Sequence, residues 1–261
     1  MTEYKKFNAT EKPEFLENKS PSKETLPSAS ELREKLKDHK ILPKRKEVEK
    51  AFPTYELWYE YFSNETEPVF DVLTEEYIEK LSDYLTEQIE KYGANTEKPL
   101  VILEIGAGNG KLSHFLKQKI NEKAPGKAKV IATDSGEWNL KQLFEVEKIN
   151  HKDALQKYQP DITLFSWMPH KEDLTKDTRK CKNLKEYILI GESDGGCCGD
   201  PYETWGRTPW QLAEEGIELE SPYEKDGFYR KNHPELRKLQ MSRMDNPGQY
   251  YHSNTVSFIR K

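Results

Sequence analysis

Cysteine is scarce, three in 261 residues, and two of the three are adjacent at Cys197-Cys198. That excludes a disulfide framework and points to a reducing compartment. Adjacent cysteines without a second pair lack zinc spacing, and the six histidines, among them His151, His170, His233 and His252, show no H-x-x-x-H or similar pattern, so no metal is expected. No apolar run approaches the ~20 residues that span a bilayer, so no membrane partner is expected. The start, Met1-Thr-Glu-Tyr-Lys-Lys6, lacks the apolar run of a signal peptide and is too acidic and arginine-poor for a transit peptide. The expected location is cytoplasmic, with nucleus and mitochondrion left open. Hydrophobic residues make up only 34% of the chain against 33% charged, so the core must be concentrated in part of it. A net charge of −5 argues against a chain built to hold nucleic-acid phosphates and favours a small molecule or a protein over RNA as substrate.

The residues that are present divide the chain in three. Residues 1–30, rich in Lys, Glu, Ser, Pro and Asn, are expected to be disordered. Residues 31–98 are expected to form a helical extension packed on the core domain. Ser28-Ala-Ser30 offers an N-cap for a short helix over Glu31–His39, closed by Pro43, and Lys44-Arg-Lys46 reads as a solvated turn. Leu57, Trp58, Tyr61 and Phe62 then share one helix face, and Tyr77, Leu81, Tyr84, Leu85 and Ile89 share another on a helix over Thr74–Tyr92 that Gly93 closes. Such stripes read first as packing surface, and they also offer a surface for a protein partner. From residue 99 to 261, strands alternate with helices, which predicts βαβ units and a parallel sheet. Strands are expected at Leu100–Ile105, Ala128–Thr133, Glu147–Asn150, Ile162–Trp167 and Glu186–Ile190. Helices are expected near Leu112–Asn121, Asn139–Val146, Leu174–Asn183 and Pro209–Glu215. The end differs: Leu236–Met244 and Ser253–Arg260, around a turn at Asn246-Pro-Gly248, read as an antiparallel edge hairpin. No internal repeat is apparent.

The densest signal is Val101-Ile-Leu-Glu104-Ile-Gly106-Ala-Gly108-Asn-Gly110-Lys-Leu-Ser113, a buried strand, a turn with glycine at alternate positions and a helix start. Helix N–H groups there face a ligand, and the glycines let the backbone pass close to it. A dinucleotide site would place glycine at position 111, where Lys111 stands. The pattern E-x-G-x-G-x-G resembles the first motif of the class I S-adenosylmethionine-dependent methyltransferases. The resemblance, which runs from about residue 99 to the C-terminus, implies an α/β fold with a mostly parallel seven-stranded Rossmann-like sheet and an antiparallel C-terminal edge. It implies S-adenosylmethionine as cofactor, with Glu104 orienting the loop and the methionine end, and Gly106, Gly108 and Gly110 approaching the methionine and ribose.

In an open α/β sheet ligands bind beyond the carboxyl ends of the strands. Asp134, closing the second strand, can accept hydrogen bonds from both hydroxyls of a ribose or can cap a following helix. Its place resembles the second motif of the family. Asp153 resembles the third, where a carboxylate receives the adenine amino group, and fits an ordinary turn as well. Ser166-Trp167-Met168-Pro169 stands at the fourth-motif position, where amine-methylating members often carry Asn or Asp before Pro-Pro-aromatic. That departure speaks against base methylation. Ser166 remains a cofactor candidate, and Trp167 reads either as a wall facing the sulfonium or as core. The glycine-rich segment Gly191–Gly206 reads as a lid carrying acids toward a cationic or amine-bearing substrate. Asp194, Glu192 and His170 are the catalytic candidates for proton removal from an N or O nucleophile. Two other readings remain open at this point: a methyltransferase-like fold serving as a non-catalytic interaction subunit, and a nicotinamide-dependent oxidoreductase.

Overall fold

A computed structural model describes residues 26–63, 69–243, 245 and 252–261. The expectations for residues 1–25 and for a turn at 246–248 lie outside that set. Four helices come first: α1 (Ala29–Leu36), α2 (Arg45–Ala51), α3 (Tyr55–Phe62) and α4 (Glu75–Gly93). Ser28 caps α1 in a reciprocal box with Glu31, as the sequence suggested, so residues 29 and 30 are helical. The basic run expected as a turn instead starts α2: Lys44 is its N-cap and Glu47 bonds back to the Lys44 amide at 2.8 Å. Helices α1–α3 share a core of Leu32, Leu36, Val48, Trp58 and Phe62, in which the Trp58 ring lies 5.5 Å from Phe52 and 4.7 Å from Phe62.

The sheet comprises β1 (Leu100–Ile105), β2 (Ala128–Asp134), β3 (Glu147–Lys148), β4 (Ile162–Ser166), β5 (Glu186–Glu192), β6 (Phe228–Asn232) and β7 (Ser253–Arg260), in the order β3-β2-β1-β4-β5-β7-β6. Every pairing among β1–β5 is parallel, and β7 runs antiparallel to both β5 and β6. Between the strands lie α5 (Lys111–Lys123), α6 (His151–Tyr158), α7 (Thr175–Arg179), α8 (Trp210–Glu214), α9 (Pro222–Lys225) and α10 (Pro234–Arg237). Side chains alternate across β1. Leu100 and Ile102 join α4 and α5 in one core, while Leu103 and Ile105 join Phe165, Leu189 and Phe258 in another. Both faces are covered, so these strands are apolar nearly throughout. Among the described residues no helix is long and apolar enough to cross a membrane.

Two expected elements differ. Residues 139–146 form no helix: the amides of Leu143 and Phe144 both bond the carbonyl of Asn109, at 3.1 and 3.2 Å, and Asn139 has φ +49. The segment spends its donors on the glycine turn rather than on its own preceding turn. The edge partner of β7 is not Leu236–Met244 but β6, and a connection of about twenty residues, not a tight turn, joins them. Pro234 opens α10, which places Leu236 in the main core. Phe228 is the one buried residue of β6, so an edge strand that is otherwise polar or half-exposed carried no hydrophobic signature.

The candidate cofactor and acceptor pocket

Strand order reverses between β1 and β4, and the crevice at such a switch point is where an open α/β sheet takes its ligand. Here a cavity of about 840 Å³ opens over the carboxyl ends of β1, β2, β3 and β4, roofed by Leu36, Tyr61 and Val69–Leu73 of the N-terminal part. Its size falls in the range of small-molecule sites, ~300–1,000 Å³.

The floor is built by hydrogen bonds that the glycine turn cannot avoid making. Ala107 N–H bonds Thr133 O at 2.9 Å, and Gly108 N–H bonds the Asp134 carboxylate at 2.9 Å. The other Asp134 oxygen accepts the Gly136 amide at 2.7 Å, a local turn that takes the place of the helix cap the sequence left open. A carboxylate offers about four acceptor positions. Two are spent on these amides, and Asp134 is itself one of the residues lining the cavity. Gly106, with φ +72, would project a Cβ into space empty to 4 Å, so the loop leaves a vacant cradle at that point.

Glu104 is 1% exposed and accepts the amide of Ser113 at 3.1 Å, tying the end of β1 to the first turn of α5. Burial pushes its carboxyl up to about 7, the Ser113 bonds opposing and the Asp71 and Asp134 charges adding to the shift. A carboxyl raised from 4.5 to about 7 gives stability that is present below 4.5 and lost as pH rises through 7. Glu104→Gln, which mimics the protonated form, is therefore expected to match the ligand-free wild type near pH 4.5. At pH 8 it should exceed the wild type by roughly 3 kcal/mol at most. Urea unfolding at the two pH values measures this. A difference independent of pH would show that Glu104 titrates normally.

Of the residues singled out from sequence, Glu104, Gly106, Gly108, Asp134 and Ser166 line this cavity together. Gly110 shapes the turn behind them as the left-handed N-cap of α5. Asp153 lies outside: it is exposed, sits in the first turn of α6 and exchanges hydrogen bonds with Asn150, so Ile149, Asn150 and His151 form that rim instead. The three catalytic candidates also lie outside. Asp194 makes a bidentate ion pair with Arg230, which holds its carboxyl below the usual range although burial opposes this. Glu192 accepts the Cys197 amide at 2.7 Å, and His170 is exposed in a bridge to Gly199. The 191–206 segment is thus pinned to β6 and to the β4 loop, and contributes no residue to the cavity.

The structure adds residues that sequence reading passed over. Phe70 packs against Trp167 at 5.8 Å with the rings 27° from parallel, and lies 6.1 Å from Trp138, itself 56% exposed. Trp167 is therefore a pocket wall, at φ +58 with its backbone N–H donating to Ile190 O at 2.8 Å. Asp71 enters through an isolated bridge to Ser242. Its carboxyl is pushed up to about 6 by burial, the Lys111 charge and the Trp167 indole pulling the other way. Lys111 is held down to about 8 by burial, with Asp71 and Asp38 opposing. Lys111 had a signal, standing where a dinucleotide site would have glycine; Phe70 and Asp71 belong to no motif.

Strand order and glycine turn give the chain a mostly parallel, seven-stranded Rossmann-like α/β fold with an antiparallel edge. No protein-family model matches the sequence, and no curated protein matches it. Among solved structures, the chain is similar to the DszA carbon methyltransferase, at 13% identity and a TM-score of 0.42 over 82% of this chain and 60% of that one. It is similar to the plantazolicin methyltransferase BpumL solved with S-adenosylhomocysteine, at 14% and 0.41 over 87% and 99%. It is also similar to the magnesium protoporphyrin IX methyltransferase of Synechocystis PCC 6803 solved with S-adenosylmethionine, at 12% and 0.34 over 70% and 79%. The chain spans 60% of the length of the DszA and CurJ carbon methyltransferases. Likenesses this distant carry no residue role across, and each role assigned to a side chain comes from the pocket itself.

Proposed function

We propose that this chain transfers a methyl group from S-adenosylmethionine to an N or O nucleophile of a small molecule or a protein. The observation that carries the reading is that the glycine turn and Asp134, joined by the 2.9 Å bond from Gly108, open together onto a switch-point cavity of about 840 Å³. The residues fit the cofactor: the vacant cradle at Gly106 admits a close ligand, and the remaining acceptor positions of Asp134 suit paired ribose hydroxyls. Ser166 and the 149–151 rim line the same cavity. Asp153, outside it, has no part in the reading.

When bound, S-adenosylmethionine supplies a methyl group already activated by a sulfonium. The chain's own task is then to position and to exclude water. Glu104 fixes the start of α5 against the end of β1, so the turn presents its backbone without reorganising. Phe70, Trp138 and Trp167 shield the pocket under the N-terminal roof and offer aromatic faces, which attract a positive charge.

Calorimetric titration with S-adenosylhomocysteine tests the reading. Saturable binding is expected for the wild type and none for Gly108→Arg, whose side chain would occupy the cavity. A folded wild type that binds nothing overturns the proposal. Tritiated-methyl transfer to fractionated cell extract would then identify the acceptor class.

A further inference from the structure

The glycine turn, Asp134 and the 149–151 rim account for the nucleoside half of the cavity and leave the half under the N-terminal roof without an occupant of its own. At about 840 Å³ the cavity lies near the upper end of the ~300–1,000 Å³ range for one small ligand, so it has room for a second molecule beside a nucleoside. Tyr61, Phe70, Asp71, Lys111 and Trp167 line that second space. They come from separate parts of the chain: Tyr61 from α3, Phe70 and Asp71 from the segment before α4, Lys111 from the first position of α5, and Trp167 from the residue after β4.

Two features set the chemistry of an occupant. The first is charge: six carboxylates line the whole cavity against two lysines. Asp71 is the carboxylate of the roof whose charged form burial opposes most, while the Lys111 charge and the Trp167 indole, its Nε1 itself buried, favour that form. Lys111 feels Asp71 and Asp38, and burial pulls it down to about 8 in spite of them. The second feature is the aromatic wall, Phe70 stacked on Trp167 at 5.8 Å with Tyr61 in the same lining. Arg243, whose guanidinium lies 5.9 Å from the Phe70 ring, does not line the cavity. A carboxylate or phosphate entering here would add to the excess of acids. An ammonium supplies the charge the acids lack and keeps Asp71 ionised. It also drives a proton off Lys111, which the lowered value of that lysine permits near neutral pH. Aromatic faces attract the ammonium and pack against an apolar body that carries it.

We propose that the space under the roof takes a small aromatic amine as methyl acceptor, the Asp71 carboxylate accepting from its ammonium and Lys111 Nζ taking the proton that must leave before nitrogen attacks. This rests on the methyl-donor reading above and narrows the acceptor to nitrogen on a small molecule. Neutral Lys111 receives a proton from the bound ammonium. The freed nitrogen lone pair then forms the bond to the methyl carbon, and the sulfur–carbon bond breaks with its electron pair left on sulfur. The products are the methylated ammonium, S-adenosylhomocysteine and protonated Lys111.

The test is calorimetric titration of the full chain, saturated with S-adenosylhomocysteine, with benzylamine, benzyl alcohol and benzoate, which share a ring and differ in the polar group. Benzylamine is expected to bind about tenfold or more tighter than the other two, the worth of a charge-assisted contact. Asp71→Asn should weaken benzylamine about tenfold or more while S-adenosylhomocysteine binds as to wild type, which also shows the variant to be folded. Repeating the wild-type titration at pH 7.5 in buffers of different ionisation enthalpy reads the protons released. Asp71, Asp38 and Glu104 share in that release, and Lys111→Met is expected to lower it by about half a proton. No benzylamine binding to the saturated wild type, equal affinity for the three probes, or proton release unchanged in Lys111→Met overturns the proposal. So does an Asp71→Asn variant that loses S-adenosylhomocysteine affinity instead of benzylamine affinity. Each of these leaves the donor reading standing. Failure of folded wild type to bind S-adenosylhomocysteine overturns the donor reading, and the acceptor site with it.

Discussion

Asp134→Ala is expected to weaken S-adenosylhomocysteine and 5′-methylthioadenosine alike, by about 100-fold or more. Each ribose hydroxyl donating to a carboxylate is worth roughly 1.5–3 kcal/mol, and two together correspond to ~100-fold at the low end. The substitution also releases the amides of Gly108 and Gly136, which the carboxylate holds at 2.9 and 2.7 Å, so the turn loses its support at the same moment. Asp134→Asn separates the two contributions. It keeps one oxygen for an amide but brings a donor toward the hydroxyls, and an intermediate loss of about tenfold is expected. Because methylthioadenosine carries the same ribose, it must suffer with S-adenosylhomocysteine. Calorimetry on folded protein decides the matter. Unchanged binding by Asp134→Ala would reduce Asp134 to a turn residue and remove the main support for a nucleoside in this cavity.

Gly110→Val is expected to cost about 2–5 kcal/mol of stability, a large part of the ~5–15 kcal/mol typical of a domain. Gly110 has φ +79, a conformation that costs an L-residue ~1–2 kcal/mol. A Cβ there would also stand 2.6 Å from Val146 Cγ2 and 3.3 Å from Phe144 Cβ, and overpacking of this kind adds ~1–3 kcal/mol. Gly106→Ala is the control. Its φ is +72 but no atom lies within 4 Å of the added Cβ, so only the conformational share, ~1–2 kcal/mol, is expected. Urea unfolding of the two ligand-free variants gives the difference directly. Equal losses would mean that the 136–146 segment does not rest on the glycine turn. A much larger loss at Gly110 confirms that the segment and the turn are one unit, as the bonds from Leu143 and Phe144 to Asn109 require.

Legibility from sequence followed the density of local signal. The central strands were readable because both their faces are covered, which writes them as nearly continuous apolar runs. β6 was not, since only Phe228 of its five residues turns inward, and the more apolar stretch after it belongs to a helix and a turn. The stripe on α4 predicted its buried face correctly: Tyr77, Leu81, Tyr84, Leu85 and Ile89 all lie in the core. The loop at 139–146 misled for a specific reason. Its Leu140 and Phe144 have helical spacing, but Leu140 lies where it would meet a Cβ at Gly108, and the Phe144 ring stacks on His114 of α5 at 4.0 Å.

The sequence alone determined where the parallel strands run, where the glycine turn sits and that Glu104 and Asp134 end neighbouring strands, because each of these depends on residues close together in the chain. Tertiary structure alone decided which polar groups share the pocket. It withdrew Asp153, Asp194, Glu192 and His170 into contacts elsewhere, and it brought in Asp71, Phe70 and Trp138. The physical reason is that a pocket is assembled across crossovers. Asp71 and Lys111 stand forty positions apart, and only the docking of the N-terminal segment over the ends of β1 and β4 places both in one enclosure.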